Sequence, residues 1–452
     1  MPNEILLNAF DMNCMAHQSF GLWRHPRDRS VNYKTTEYWT DLAQTLERGL
    51  FDGLFLADVL GTYDVYGGSP GAAIRTATQI PVNDPTLVIP PMAMVTENLC
   101  FGVTGTLSYE SPVPFARRMS TLDHLTGGRV GWNVVTGYLQ SAAKGTGQVD
   151  QSAHDTRYDI AEEYMEIMYK LWEASWSENA VRLDRKAGVF ADPDRIEQIK
   201  HDGLYLSIDS PHLCEPSPQR TPILYQAGSS PKGRSFAAKH AECVFVVGPS
   251  TAVLTSVVAD LRQRATDGGR DPADLKIFAM MTVIVAPTDE EAQAKLADYQ
   301  RYVSHESALA VLSGWTGIDF SHFSLDDKLT NSKVEGIQGV MDAFTADPGR
   351  VWTIREIAEK IAIGGPSPVV VGSPTTVVNE MERWVRETDV DGFNLARVVA
   401  PETFVDVVDL VVPEMQSRGI YKREYRPGTY REKLYGRGPH LTTPHPGSAY
   451  HR

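Results

Sequence analysis

The segment Gln226-Ala-Gly-Ser-Ser-Pro-Lys-Gly233 has the composition of an anion-binding loop. A predicted strand runs into a Gly/Ser turn that opens a helix, where backbone N–H groups and the Ser229 and Ser230 hydroxyls can bind a phosphate. Lys232 and Arg234 lie close by in the sequence. The same residues also suit an ordinary helix N-cap with proline in the first turn. The pattern therefore leaves two interpretations open, a phosphate-binding loop or a plain helix start.

Three side chains near predicted strand ends can take part in proton transfer. Cys14 and His17 are close enough in sequence for a Cys–His nucleophile, although a cysteine is commonly just a small buried residue. His17 by itself can donate or accept a proton beside a bound substrate. Asp58 can be a catalytic acid or an orienting hydrogen-bond acceptor. The twelve histidines show no HxxxH or HExxH spacing, so we expect no metal site.

These residues need a scaffold that brings strand ends together. Short apolar, β-branched runs alternate with longer amphipathic runs along the chain. We predict eight strands, at residues 5–12, 53–57, 99–107, 129–135, 222–227, 243–247, 277–286 and 392–396. No Gly-rich dinucleotide fingerprint follows the first of them. The pattern favours an α/β fold, a (β/α)8 TIM barrel with insertions, over two doubly wound sheets, and such barrels carry their sites at the C-terminal strand ends.

We expect a single barrel domain over residues 1–420. A hairpin excursion is predicted at about 180–215, and residues of about 304–365 break the strand–helix rhythm and are predicted to form a lid-like insertion. His154 and Asp155 are predicted to cap the clearest helix. Residues 421–452 are rich in Gly, Pro and Tyr. They are predicted to form an extended C-terminal arm, either solvated or clasping a second subunit.

The composition limits the class of protein. The chain has 452 residues and a net charge of −14, which argues against nucleic acid or an anionic membrane as a partner. No secretory signal is visible in MPNEILLNAF, and no apolar run reaches the roughly 18 residues of a membrane span. The four cysteines are scattered without CxxC spacing. We therefore expect a reduced, cytoplasmic enzyme.

Several longer motifs carry a family resemblance. The run Ser120-Thr-Leu-Asp-His-Leu-Thr-Gly-Gly-Arg-Val-Gly-Trp-Asn-Val-Val-Thr136 is the most distinctive. It is accompanied by Asp52-Gly-Leu-Phe-Leu-Ala-Asp58, His154-Asp-Thr-Arg-Tyr158 and Glu215-Pro-Ser-Pro-Gln-Arg-Thr-Pro222. Together these segments resemble the flavin-dependent monooxygenases of the bacterial luciferase superfamily, in the branch of the nitrilotriacetate and dibenzothiophene-sulfone enzymes. The similarity spans nearly the whole chain.

The resemblance implies two sets of site residues. Its flavin-binding positions are matched by Asp58, Thr104, Gly137, Tyr138, His154, Tyr158, Ala227, Gly228, Ser229 and Ser230. Its catalytic and pocket positions are matched by Cys14, His17, Tyr63, Gln79 and Tyr138. The loop at 226–233 then holds the FMN phosphate. Tyr138 departs from the alkane-oxidising members, which have histidine there, and a further pocket histidine of theirs has no counterpart near residues 310–312.

The implied activity is a two-component monooxygenation that uses reduced FMN. One oxygen atom from O2 enters a hydrophobic small molecule through a flavin peroxide, and long-chain alkanes or organosulfides are the implied substrates. A separate NAD(P)H:FMN reductase is implied, because the sequence shows no built-in NAD(P)H domain, and we expect a homodimer or homotetramer. The alternatives are a halogenated aromatic substrate, or deazaflavin-dependent hydride transfer within the same superfamily.

Overall fold

Eight parallel strands form a closed barrel in the computed structural model, which describes residues 4–328 and 351–452. They are β1 (Leu6–Met12), β2 (Gly53–Ala57), β3 (Cys100–Thr106), β4 (Val130–Val135), β5 (Ile223–Gln226), β6 (Cys243–Val246), β7 (Lys276–Val285) and β8 (Gly392–Ala396). β1 pairs with both β2 and β8, and β6 pairs with β7 to close the ring. The predicted (β/α)8 barrel is confirmed.

Helices surround this barrel and cover its two openings. Those in the described ranges are α1 (Thr36–Arg48), α2 (Gly71–Thr76), α3 (Ile89–Met94), α4 (Pro112–Thr126), α5 (Gln140–Gly145), α6 (His154–Tyr169), α7 (Pro231–His240), α8 (Thr251–Asp267), α9 (Asp289–Gln300), α10 (His305–Thr316), α11 (Ile354–Ala362), α12 (Pro374–Thr388), α13 (Glu402–Asp406), α14 (Val412–Ser417) and α15 (Tyr430–Tyr435). A π-helical stretch extends α6 through Lys170–Ala174, and a second, Val407–Val411, joins α13 to α14.

The predicted strands match the eight barrel strands to within one or two residues at each end. Two details differ. Val369–Gly372 forms a further strand that pairs with β7 outside the closed ring and was not predicted, because four residues give too short a pattern. The predicted N-cap of α6 was wrong by one residue: the cap is Ala153, whose side chain makes no capping bond, and the helix begins at His154.

The interior of the barrel is filled mainly by aromatic rings. Phe55 lies 5.2 Å from Phe10 and 4.3 Å from Phe245 between ring centroids, and Tyr225 stacks on Phe245 at 5.0 Å. This stack of rings extends toward the C-terminal end of β1, because the rings of Phe10 and His17 meet edge-on with their centroids 4.3 Å apart. These contacts make the barrel a packed core with a firm floor beneath its upper opening.

The C-terminal arm packs on the lower opening of its own barrel. Tyr430 is fully buried there, and its hydroxyl group is hydrogen-bonded to that of Tyr225. Arg431, also buried, donates from Nε and Nη2 to the two carboxylate oxygens of Glu242, at 2.6 and 2.8 Å. The sequence predicted a solvated or subunit-clasping tail. Around Tyr430 and Arg431 the arm is not solvated but forms a plug, because these side chains find partners inside the same chain. Contact with a second subunit stays a prediction.

Two further segments lie outside the barrel wall. Residues Val181–Asp184 pair with Val189–Ala191, and Ile199–Asp202 pair with Ser207–Ser210, so two antiparallel hairpins occupy the excursion predicted at about 180–215. The predicted insertion at about 304–365 contains α10 and α11, which pack against each other, while its residues 329–350 lie outside the described part. Within the described ranges, no helix is both long enough and apolar enough to span a bilayer.

Replacing Tyr430 tests the plug. Because the ring fills the barrel floor, Tyr430→Ala is expected to lower the free energy of unfolding by about 3–5 kcal/mol. Tyr430→Phe keeps the ring and leaves only the Tyr225 hydroxyl without its partner, a loss of about 1–2 kcal/mol. Tyr205→Ala, at an exposed hairpin position, is the control. Urea denaturation measures all three, and equal losses for Tyr430→Ala and Tyr205→Ala would contradict the assignment.

Candidate active site

A cavity of about 360 Å³ opens at the C-terminal ends of β2 to β5. Nine of the ten predicted flavin-binding residues line it: Asp58, Gly137, Tyr138, His154, Tyr158, Ala227, Gly228, Ser229 and Ser230. Thr104 does not. It is buried in the barrel wall below, where its hydroxyl accepts a hydrogen bond from Asn133 Nδ2 at 3.1 Å. The strand ends thus bring together residues that are far apart in the sequence.

The loop after β5 forms a tight cradle at one side of this cavity. Gln226 Oε1 accepts a hydrogen bond from the Gly228 backbone N–H at 2.6 Å, and Ser230 Oγ caps α7 by accepting from the Gly233 N–H at 3.0 Å. A Cβ atom at Gly228 would overlap the Gln226 amide and lie 2.8 Å from the Tyr158 hydroxyl. The close approach requires glycine here, and the loop residues 227–230 line the cavity.

The cation that lines the cavity is Arg157. Its side chain is nearly buried, it donates from Nη1 to the Gly137 carbonyl, and its Nε has no hydrogen-bond partner in the part of the chain that the structure describes. Lys232 and Arg234, which flank the loop in sequence, point to other partners. Lys232 Nζ lies 2.6 Å from Asp159, and Arg234 Nε lies 2.9 Å from Asp260.

A chain of hydrogen-bonded side chains continues from the cavity toward β1. The Tyr138 and Tyr63 hydroxyls are 2.6 Å apart, the Tyr63 hydroxyl donates to Gln79 Oε1 at 2.8 Å, and Gln79 Nε2 donates to the His17 carbonyl at 2.8 Å. Desolvation raises the pKa of Tyr138 to about 12, so both tyrosines carry their protons at neutral pH. Tyr138, which belongs to both predicted sets, links the two groups of residues.

His17 and Cys14 lie under this chain, and both side chains are buried. Burial, and then the positive charge of Arg397, lower the pKa of His17 to about 3, so the imidazole is neutral at physiological pH. Burial raises the pKa of the Cys14 thiol well above its usual range, and the thiol donates to the Ala16 carbonyl at 3.4 Å. A neutral thiol in such surroundings is a poor nucleophile. The burial of this thiol therefore argues against Cys14 as a nucleophile.

The loop is held from below by a buried ion pair. Arg397 Nε, from the segment after β8, donates to Asp11 Oδ1 at 2.6 Å, and Arg397 Nη2 donates to the carbonyls of Cys14 and Met15 at 3.1 Å each. Both side chains are almost completely buried. A guanidinium group in this position fixes the backbone that leads to His17.

Comparison with known proteins agrees with this geometry. Residues 15–391 match the family described as luciferase-like monooxygenase. The chain belongs to that family.

This luciferase-like monooxygenase is 47% identical to dimethyl-sulfide monooxygenase from Hyphomicrobium sulfonivorans over 452 residues, 100% of this chain and 94% of that protein. It is 49% identical to long-chain alkane monooxygenase from Geobacillus thermodenitrificans strain NG80-2, over 97% of this chain and 96% of that protein. A crystal structure of long-chain alkane monooxygenase superposes with a TM-score of 0.92, at 48% identity and full coverage of both chains. Riboflavin lyase, crystallised with modified FMN and riboflavin, superposes with a TM-score of 0.90 at 33% identity, over 99% of this chain and 100% of that one.

Two site residues of the monooxygenase were missed by sequence reasoning. Arg157 lies inside the quoted motif 154–158, yet only the structure shows that the neighbouring cations are already paired. Trp315, on α10, hydrogen-bonds the hydroxyls of Tyr63 and Tyr138. Gly314 beside it allows the Tyr63 ring to pack directly on the helix, since a Cβ there would overlap the ring. The start of the insertion therefore contributes to the site of the monooxygenase.

The carboxyl group of Asp58 lines the same cavity and has a strongly shifted pKa. Burial, and then the negative charge of Asp84, raise its pKa to about 7, although the Val59 N–H opposes the shift. The folded monooxygenase therefore keeps this proton at pH values where the unfolded chain has released it. The contribution of Asp58 to the stability is expected to fall as the pH rises from about 4 to about 7, and to level off above that.

Asp58→Asn tests this shift. The variant cannot ionise, so it is expected to match the wild type near pH 4 and to exceed it in unfolding free energy by about 2–4 kcal/mol at pH 8. Asp194→Asn, which removes an exposed carboxylate, is the control and is expected to show no such trend. The measurement is the urea denaturation midpoint of each protein across this pH range. A difference in midpoint between Asp58→Asn and wild type that does not change with pH would refute the pKa shift.

Proposed function

We propose that this chain binds reduced FMN in the 360 Å³ cavity and inserts one atom of O2 into a hydrophobic small molecule of the long-chain alkane or organosulfide type. The observation that carries the proposal is a hydrogen-bond chain from the anion cradle through Tyr138, Tyr63 and Gln79 to the main-chain carbonyl of His17, a buried histidine. The substrate class is supported by relatives that are 47% and 49% identical and are named for dimethyl sulfide and long-chain alkanes.

The cavity residues fit FMN. A phosphate needs convergent N–H groups, hydroxyls and a cation, and the loop at 227–230 together with Arg157 offers all three. The Nε of Arg157, buried and without a partner among the described residues, gains an acceptor when an anion binds. Val59, Leu60, Val134 and Leu139 give the remaining wall an apolar character suited to a flat ring.

Different residues of the chain have different roles in the proposed reaction. Bound reduced flavin supplies the two electrons that allow one oxygen atom of O2 to enter the product while the other leaves as water. His17, neutral and held by the loop at 14–17, can hold or supply one proton at its ring nitrogen. Tyr63 and Gln79, fixed by their mutual hydrogen bond, orient the reacting molecules beside it.

The insertion at about 304–365 is proposed as the cover that keeps water out of this space. Its described helices α10 and α11 build an apolar cluster with Phe20, Tyr63 and Leu139, which lie around the site. Residues Ala310 to Leu312 face this cluster fully buried and offer no polar group. A hydrophobic substrate is the complement of such a wall.

We also infer a separate reductase and an oligomer. The reductase is supported by the described residues, which form one barrel without a second nucleotide-binding sheet, and we expect reduced FMN to come from another protein. A homodimer or homotetramer stays a prediction. It is supported by the exposed apolar side chains of Leu87, Met94 and Leu125, on or beside the adjacent helices α3 and α4.

Anaerobic titration with reduced FMN, followed by mixing with labelled ¹⁸O2 and a panel of alkanes, sulfides and haloaromatics, tests the function. The expected result is saturable FMN binding and a product that carries one ¹⁸O atom by mass spectrometry. Failure of reduced FMN to bind would refute the cofactor assignment. Binding of a reduced deazaflavin instead, with product formed without O2 uptake, would establish hydride transfer.

Gly228→Ala tests the cradle. The added Cβ displaces the Gln226 amide and the Tyr158 hydroxyl, so the dissociation constant for reduced FMN is expected to rise at least about tenfold, or about 1.4 kcal/mol. Gly145→Ala is the matched control, since a Cβ at that position meets open space. Equal affinities for both variants in the anaerobic titration would rule out the cradle as the FMN phosphate site.

His17→Ala tests the proton-handling residue. Product formed per reduced FMN consumed is expected to fall by about 10²-fold, as for loss of a general acid or base. The dissociation constant for reduced FMN is expected to change less than about twofold, because His17 does not line the FMN cavity. His322→Ala, at an exposed position, is the control. An unchanged product yield in His17→Ala would exclude this role.

A further inference from the structure

A second cavity, of about 370 Å³, lies between the barrel wall and its outer helices, apart from the FMN cavity. One wall is a single face of α1, formed by Tyr38, Asp41, Leu42 and Thr45, which recur at helical spacing. The opposite wall is apolar and comes from the segment after β8 and from α13. It is formed by Ala400, Pro401, Phe404 and Val405. The volume is that of a small-molecule site.

The floor of this cavity is the Asp11–Arg397 ion pair. Asp11 Oδ1 accepts hydrogen bonds from Arg397 Nε at 2.6 Å and from the Met12 N–H at 2.8 Å. The other oxygen, Oδ2, is buried and has no hydrogen-bond partner within residues 4–328 and 351–452. A buried carboxylate oxygen without a donor is costly, so this atom calls for a ligand that donates a hydrogen bond.

The charges around the cavity specify the sign of that ligand. Arg397 is committed to Asp11 and to two loop carbonyls, and Arg29 Nη1 donates to the carbonyls of Pro26 and Asp28. Glu37 and Asp41 add two exposed carboxylates at the rim. Arg29 and Arg397 keep their positive charges, but the three carboxylates of Asp11, Glu37 and Asp41 outnumber them. The lining therefore carries one net negative charge, and a positive donor group suits it better than a neutral or an anionic one.

We propose that this cavity, the α1 cavity, is a second ligand site that binds a small organic ammonium ion. The ammonium group occupies the floor and donates to Asp11 Oδ2, while a hydrocarbon body of about six carbons lies between Leu42 and Phe404. The site is independent of FMN, because none of its lining residues borders the FMN cavity.

Titration of the FMN-free protein with n-hexylammonium chloride, followed by saturation-transfer NMR, tests the site. Saturable binding is expected with a dissociation constant of about 0.1–1 mM, ordinary for so small a ligand. 1-Hexanol and hexanoate, with the same hydrocarbon body, are expected to bind at least tenfold more weakly. Weaker binding of hexylammonium than of either analogue would overturn the proposal, as would equal binding of all three.

Two variants test whether hexylammonium binds in the α1 cavity. Thr45→Phe fills the cavity from α1 without changing a charge and is expected to abolish hexylammonium binding, while reduced-FMN affinity stays within about twofold. Asp41→Asn weakens the rim charge and is expected to reduce affinity about two- to fivefold. Asp194→Asn, an exposed carboxylate elsewhere, controls for general attraction to an acidic protein. Undiminished binding to Thr45→Phe would show that the ammonium ion binds elsewhere and would overturn the proposal.

Discussion

The buried ion pair between Asp11 and Arg397 ties the first barrel strand to the segment after the last one, and the arrangement above it depends on this contact. Removing one partner of such a pair commonly costs about 3–5 kcal/mol, because the other charge stays buried. In this protein, loss of the pair would also release the loop that leads to His17, because the same guanidinium group donates hydrogen bonds to the Cys14 and Met15 carbonyls. Those carbonyls set the course of the chain to His17, and the His17 carbonyl in turn orients Gln79.

Tyr138 joins two environments of opposite character. On one side lies a polar cradle with backbone N–H groups, hydroxyls and Arg157; on the other lie Tyr63, Gln79 and His17, all withdrawn from water. The same burial that keeps the imidazole neutral also keeps the tyrosines and the Cys14 thiol protonated. These groups therefore keep their protons in the resting site. Oxygen chemistry requires such a site, because stray proton transfer leads to side reactions.

Much of the fold could be predicted from sequence, because strands buried on both faces are continuous apolar runs and each ends at a recognisable turn. The turn that opens α7 was predictable for the same local reason, whereas phosphate binding by the loop at 226–233 stays a prediction. The roles of Arg157 and of the C-terminal arm were not. The cation that faces a cavity can be identified only when the partners of the other cations are known, and Lys232 and Arg234 are already paired. The position of Tyr430 depends on a barrel opening that is formed by eight strands distant in sequence.

The closure of the barrel also constrains the order in which the chain can fold. β1 is made early, yet it pairs with β8 at residues 392–396, and the floor beneath both is completed only by Tyr430. Until those residues leave the ribosome, one edge of β1 and the aromatic interior remain uncovered. Such an edge is an aggregation hazard during synthesis. Folding of the whole barrel therefore depends on pairing between residues that are far apart in the sequence, and such contacts form slowly.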